Sequence, residues 1–125
     1  MSGFAQRPYV LLTTFRANGT PVGTPVWAAP LPDGRLGVWT RTDSGQVARI
    51  RRSPAVEIAE CDARGTPLGP AVPGTAEILD AAGTRTVRKA VARKYGLLGR
   101  VVVGSSRLVR GATGTTGLAV SVGGS

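Results

Sequence analysis

The stretch Thr40-Arg41-Thr42-Asp43-Ser44-Gly45-Gln46-Val47-Ala48-Arg49-Ile50-Arg51-Arg52-Ser53-Pro54-Ala55-Val56-Glu57-Ile58-Ala59-Glu60-Cys61-Asp62-Ala63-Arg64-Gly65 passes from strand to helix and back to strand in one short run. Thr40 and Thr42 close an apolar-alternating segment, so on a strand their hydroxyls point to one face. Ser44 is a good helix N-cap and Gly45 lets a ligand approach the backbone closely. The free N–H groups of the first turn then carry the partial positive charge that favours phosphate. Arg49 follows about one turn later. The spacing predicts a helix over Asp43 to Arg52 with Val47 and Ile50 on its buried side, ending before Pro54 because the residue preceding a proline avoids helical angles. Ala55 to Asp62 is the next strand and Ala63 to Gly65 a turn. Hydroxyls, a helix start and a guanidinium in this order are what an anionic cofactor tail needs.

Working outward, Pro8 to Arg16 is rich in strand formers, and Asn18-Gly19 supplies the two positive-φ positions of a tight hairpin turn. Pro21 to Ala29 is strand two, with Pro21 and Pro25 demanding an edge or a bulge, and Asp33-Gly34 marks the next turn. Arg35 to Thr42 is strand three. Beyond the opening stretch, Thr66 to Leu79 is strand five, irregular in its first half because of Pro70 and Pro73. A helix from about Asp80 to Tyr95 puts Arg85, Arg88, Lys89 and Arg93 on one arc and Val87, Ala90 and Val91 on another, with Lys94 misplaced beside the apolar arc. Leu97 to Val109 fits helix or loop, the Gly111, Gly114, Gly117 run reads as a turn, and Thr115 to Val122 is a closing strand. The pattern predicts one mainly β domain over residues 1–125, a six-stranded antiparallel barrel with short helices; an open sandwich satisfies the same pattern.

Composition narrows the chemistry. The chain has no histidine and one cysteine, Cys61, which excludes Ser-His-Asp and Cys-His nucleophiles, a standard zinc site and an internal disulfide. No lysine follows a glycine, so the nucleotide-hydrolase phosphate loop is absent, and the glycine spacing is not the dinucleotide fingerprint. Reactivity is expected from a cofactor, with no catalytic side chain and no metal. Neither a leader nor a membrane span is visible, and the expectation is a soluble, cytoplasmic protein. Asp80 is the last acidic residue, and eight basic residues follow it within a net charge of +9, a surface that attracts anions in general.

Five pieces in order, Thr24 to Trp27, Ser44 to Ile50, Cys61 to Gly65, Gly74 to Ala76 and the Lys-Tyr-Gly-Leu beginning at Lys94, make the chain resemble a known family. This is the family of small split-barrel flavin and deazaflavin oxidoreductases related to pyridoxamine 5'-phosphate oxidase, and within it the actinobacterial type that uses coenzyme F420. The resemblance implies an FMN-binding split-barrel fold and a homodimer with a cofactor groove at the subunit interface. Pro25, Val26 and Trp27 would line the tricyclic ring. Thr40, Thr42, Ser44, Gly45, Gln46 and Arg49 would hold the phosphate and tail. The position of Gln46 is usually lysine in the family; glutamine removes a positive charge there and keeps a neutral donor.

The function so implied is hydride transfer between F420 and a small organic substrate. An FMN-binding oxidoreductase or a non-catalytic flavin or deazaflavin carrier keeps the same fold. A nucleic-acid-binding module resting on the basic C-terminal third ranks last, because no readout motif accompanies the charge, and neither membrane nor specific nucleic acid is expected as a partner. Trp39 is expected in the core and Cys61 as a small buried residue at a strand end. Tyr95 is either a proton donor near the ring or a packed aromatic with a wet hydroxyl.

Overall fold

The computed structural model describes Phe4, residues 7–110 and residues 115–122, and over 96–110 the backbone alone. Seven strands form one antiparallel sheet: β1 Val10–Phe15, β2 Pro21–Val26, β3 Ala28–Pro30, β4 Leu36–Arg41, β5 Ala55–Glu60, β6 Val72–Ile78 and β7 Thr115–Val122. Helix α1, Gly45–Arg52, joins β4 to β5, and α2, Ala81–Arg110, precedes β7. The order across the sheet is β2-β1-β5-β6-β7-β4-β3. Its two outermost strands are consecutive pieces of one segment, separated by Trp27 alone, so the sheet curls round on itself and its ends meet.

This is why seven strands stand where six were expected. Val26 pairs with Val10 of β1, whereas Ala28 pairs with Val38 of β4. The expected strand two therefore changes partners at Trp27, serving one edge of the sheet before it and the other after it. The five-residue connection from Arg16 to Thr20 also differs from a tight two-residue turn. Only Gly19 takes a positive φ, +88°, while Asn18 uses its side-chain oxygen to accept from the Thr20 N–H at 3.0 Å. Thr66 to Ala71 stays outside β6, and only a single bridge, Cys61 to Pro67, ties that loop back.

Period-two alternation sorts the side chains into two apolar layers. Val10, Leu12, Leu36, Val38, Val56, Ile58, Leu118 and Val120 fill the barrel, and Ile50 of α1 plugs one end. On the outer face of β3, β4 and β7, Ala29, Leu31 and Ala119 meet Val87, Ala90 and Val91 of α2. β7 is thus covered on both sides, which explains why all its residues except Ser121 are buried. Each fully buried Val, Leu or Ile contributes about 1.5 to 3 kcal/mol.

Close approach of α2 depends on Gly117, where an added Cβ would lie 2.9 Å from Val87 Cγ2 and 3.0 Å from the Thr84 Cα. Gly117 belongs to β7 and not to a turn; Gly111 and Gly114 lie outside the described residues. The helix expected to stop near Tyr95 continues through Arg110, resolving the ambiguous Leu97 to Val109 segment as helix. Among the described residues no helix is long and apolar enough to cross a membrane.

Candidate functional site

The pairing of β3 with β4 stops at Ala28 and Val38. Continued, that register would set Val26 opposite Thr40 and Thr24 opposite Thr42, but β2 pairs instead with β1. The barrel is consequently open between β2 and the end of β4, and the chain leaving β4 runs directly into α1. By that register Pro25 to Trp27 fall along one side of the opening, with Thr40 and Thr42 at the end of β4 on the other and Ser44 to Arg49 following at the start of α1.

Local chemistry at the start of α1 follows the sequence closely. Ser44 sits in extended conformation (φ −70°, ψ 152°) as the N-cap of α1, and its Oγ accepts from the Val47 N–H at 3.1 Å. Arg49 folds back over the first turn, so that a Cβ added to Gly45 would lie 2.8 Å from Arg49 Nη1. Its Nε donates to Thr14 Oγ1 at 2.6 Å, and Thr14 is itself 0% exposed on β1. The guanidinium is therefore fixed from one side while its remaining N–H groups stand beside the first-turn amides of α1. Gln46, expected among the residues holding the phosphate and tail, is only 5% exposed, and its Nε2 has no partner among the described residues. A buried amide without an acceptor costs about 1 to 3 kcal/mol. A guanidinium held by Thr14 over the start of α1 is a group that suits a phosphate.

The ring-lining trio is less uniform. Pro25 is in register with Leu11 and close to Gly65, where an added Cβ would lie 3.4 Å from Pro25 Cδ. Val26 points the other way, against the barrel core. Trp27 packs with the α2 layer, its ring stacked on Tyr95 at 4.1 Å between centroids and 10° between planes. These three side chains do not share one face, as alternation along an extended chain requires.

Residue reasoning passed over Thr14 and gave Lys94 and Tyr95 no place. Tyr95 donates its hydroxyl proton to the Pro8 carbonyl at 2.8 Å and accepts from the Ala28 N–H at 3.2 Å. Lys94 Nζ donates to the Arg7 carbonyl at 2.6 Å and to the Ala28 carbonyl, and stands 4.9 Å from the Tyr95 ring centroid. Burial pushes the Tyr95 hydroxyl up to about 12 and lowers the Lys94 ammonium. The signals available were Thr14 at an inward-facing position after Val10 and Leu12, and a lysine beside the apolar arc of α2. Cys61 is buried as expected; burial and then the neighbouring Asp62 raise its thiol pKa. Among the described residues no cluster of potential metal ligands occurs.

A curled antiparallel sheet opened along one seam, with Arg49 folded over the start of the helix that follows β4, defines a split-barrel protein. The model of the pyridoxamine 5'-phosphate oxidase family matches residues 2–110, and the chain belongs to that family. Among solved structures it is similar to the conserved hypothetical protein Rv2991 from Mycobacterium tuberculosis, with 21% identity and a TM-score of 0.70, covering 97% of this chain and 77% of that one. It is similar to an F420 reductase at 23% identity and TM-score 0.66, covering 97% and 91%. HutZ, the heme storage protein from Vibrio cholerae, matches at 15% identity and TM-score 0.68, covering 98% and 87%. At these identities the likeness concerns the fold. No curated protein matches the sequence.

Proposed function

We propose that this chain is an F420-dependent oxidoreductase that acts as a homodimer on a small organic substrate. The observation that carries the reading is the α1 N-terminus, where Arg49 is held by Thr14 over Gly45. Likeness of fold to an F420 reductase supports the choice of cofactor. When bound, F420 supplies the hydride chemistry through its deazaflavin ring. The chain binds and orients: Arg49, Gln46 and the first-turn amides take the phosphate, while Thr40, Thr42 and Pro25 to Trp27 flank the opening. Rate then comes from proximity and excluded water. Tyr95 is no proton donor in this scheme, because its hydroxyl is already spent on Pro8 and Ala28 and keeps its proton to about pH 12.

A second subunit would close the opening of the first and complete the groove. Equilibrium titration with F420 tests the reading: saturable binding well below millimolar is expected, and absence of binding overturns it. FMN carries a phosphate that the same cradle accepts, so protein purified yellow with flavin absorbance would favour FMN instead. Haem is disfavoured, since a chain without histidine lacks the commonest axial ligand.

A further inference from the structure

β2 ends at Val26, opposite Val10 where β1 begins, and after Trp27 the chain joins the other sheet edge with Ala28 in register with Val38. The next peptide groups, those of Ala28, are completed by side chains of α2. Tyr95 Oη accepts from the Ala28 N–H at 3.2 Å, and Lys94 Nζ donates to the Ala28 carbonyl. The same two side chains hold the chain entering β1, Tyr95 through the Pro8 carbonyl at 2.8 Å and Lys94 through the Arg7 carbonyl at 2.6 Å. Two adjacent residues of one helix thus tie three segments at one point.

That point is also the wall of the opening. Lys94, the Tyr95 ring and the Trp27 indole form successive layers, with Lys94 Nζ 4.9 Å from the Tyr95 centroid and the two rings 4.1 Å apart at 10°. Trp27 is half-exposed and is the outermost layer. Lys94 is half-buried and has no carboxylate partner among the described residues, and carbonyl oxygens are the acceptors that make it tolerable there. Nothing about closing the barrel core requires a charge here, because Val10, Ala28 and Val38 already pack without it.

We infer that Lys94 and Tyr95 are positioning residues, fixing the Ala28 backbone and the Trp27 indole where the barrel splits and so setting how tightly the opening holds a planar cofactor ring. The inference rests on the F420 reading proposed above, and it accounts for the Lys-Tyr pair that the phosphate cradle leaves unused.

The test uses the full chain and three variants. Tyr95→Phe keeps the stacked ring and removes the hydroxyl with its bonds to Pro8 and Ala28; Lys94→Met keeps an unbranched stem and removes both ammonium bonds. Val87→Ala weakens the packing of the same helix away from the clip and controls for lost stability. Amide hydrogen exchange should show protection of the Ala28 N–H falling at least tenfold in Tyr95→Phe while the Val38 amide is unchanged. F420 titration should show the dissociation constant rising about tenfold in Tyr95→Phe and Lys94→Met and less than twofold in Val87→Ala. Loss of Ala28 protection with unchanged F420 affinity would overturn the positioning role, as would a Val87→Ala effect equal to that of the clip variants. Unchanged Ala28 exchange in Tyr95→Phe would overturn the clip itself. Failure of the unaltered chain to bind F420 overturns the cofactor reading separately, since exchange at Ala28 is read without any ligand.

Discussion

Arg49 illustrates how a single side chain becomes a binding group through its supports. A free arginine on a helix surface samples many rotamers, and ordering it against a phosphate costs side-chain entropy. Here Thr14 accepts from Nε at 2.6 Å and Gly45 leaves room for the guanidinium to lie over the helix start. Thr14→Val keeps the shape of that buried residue and removes the acceptor. The expected outcome is a protein that remains folded but binds F420 roughly tenfold more weakly, about 1.4 kcal/mol, measurable by calorimetry. Gln46→Lys restores the residue usual in the family at a buried site. It should lower the melting temperature of the ligand-free protein, because a buried ammonium lacks a counter-charge. It should also tighten F420 by one to two decades, about 1 to 3 kcal/mol, once a phosphate supplies that charge. Cys61, with its raised thiol pKa, should react with a thiol reagent at neutral pH far more slowly in the native protein than in denaturant. Equal rates would mean the site is open to solvent.

At the scale of elements, the segments with strong local signals formed where their residues indicated. α1 has a serine cap, buried Val47 and Ile50, and a proline stop, and it occupies Gly45–Arg52. What local pattern could not convey was partner choice. Pro21 to Ala29 reads as one strand because its propensities are continuous, yet it serves two sheet edges, and only the closing of the barrel imposes the break at Trp27. Gly117 is a similar case: a glycine among glycines looks like a turn, whereas its missing side chain is what admits α2. Gly117→Ala should destabilise the fold by about 1 to 3 kcal/mol through overpacking against Val87 and the Thr84 backbone, read from chemical denaturation. Lys94 and Tyr95 matter through groups 66 and 67 residues away in sequence, so helical periodicity marks Lys94 as out of place but cannot name its partners. Their link to pH has a definite sign. A tyrosine in the unfolded chain titrates near about 10, and Tyr95 is raised to about 12. Its contribution to stability is complete below the lower value and is lost as pH rises towards the higher one. The native tyrosinate absorbance step near pH 12 should vanish in Tyr95→Phe.

For the whole molecule the governing quantity is charge. A net charge of +9, with eight basic and no acidic residues after Asp80, makes the compact state repel itself. On α2, Arg85, Lys89 and Arg93 are spaced four apart, and like charges at that spacing cost about 0.2 to 0.5 kcal/mol per pair. Added salt therefore acts in opposite directions on folding and on cofactor binding. Shortening the screening length from about 30 Å at 0.01 M to about 8 Å at 0.15 M relieves repulsion within the chain and raises the melting temperature. The same change weakens attraction of an anionic cofactor to the basic surface, so the F420 dissociation constant should rise. Lys89→Glu separates the two effects. It converts both like-charge pairs on α2 into opposite-charge pairs and should stabilise the ligand-free protein by roughly 0.8 to 2 kcal/mol at low salt, with that gain disappearing as salt is added. F420 affinity should change little, because Lys89 lies on α2 and not at the α1 cradle. A tenfold loss of affinity in this variant would relocate the anion site to α2 and remove the cradle from the binding mechanism.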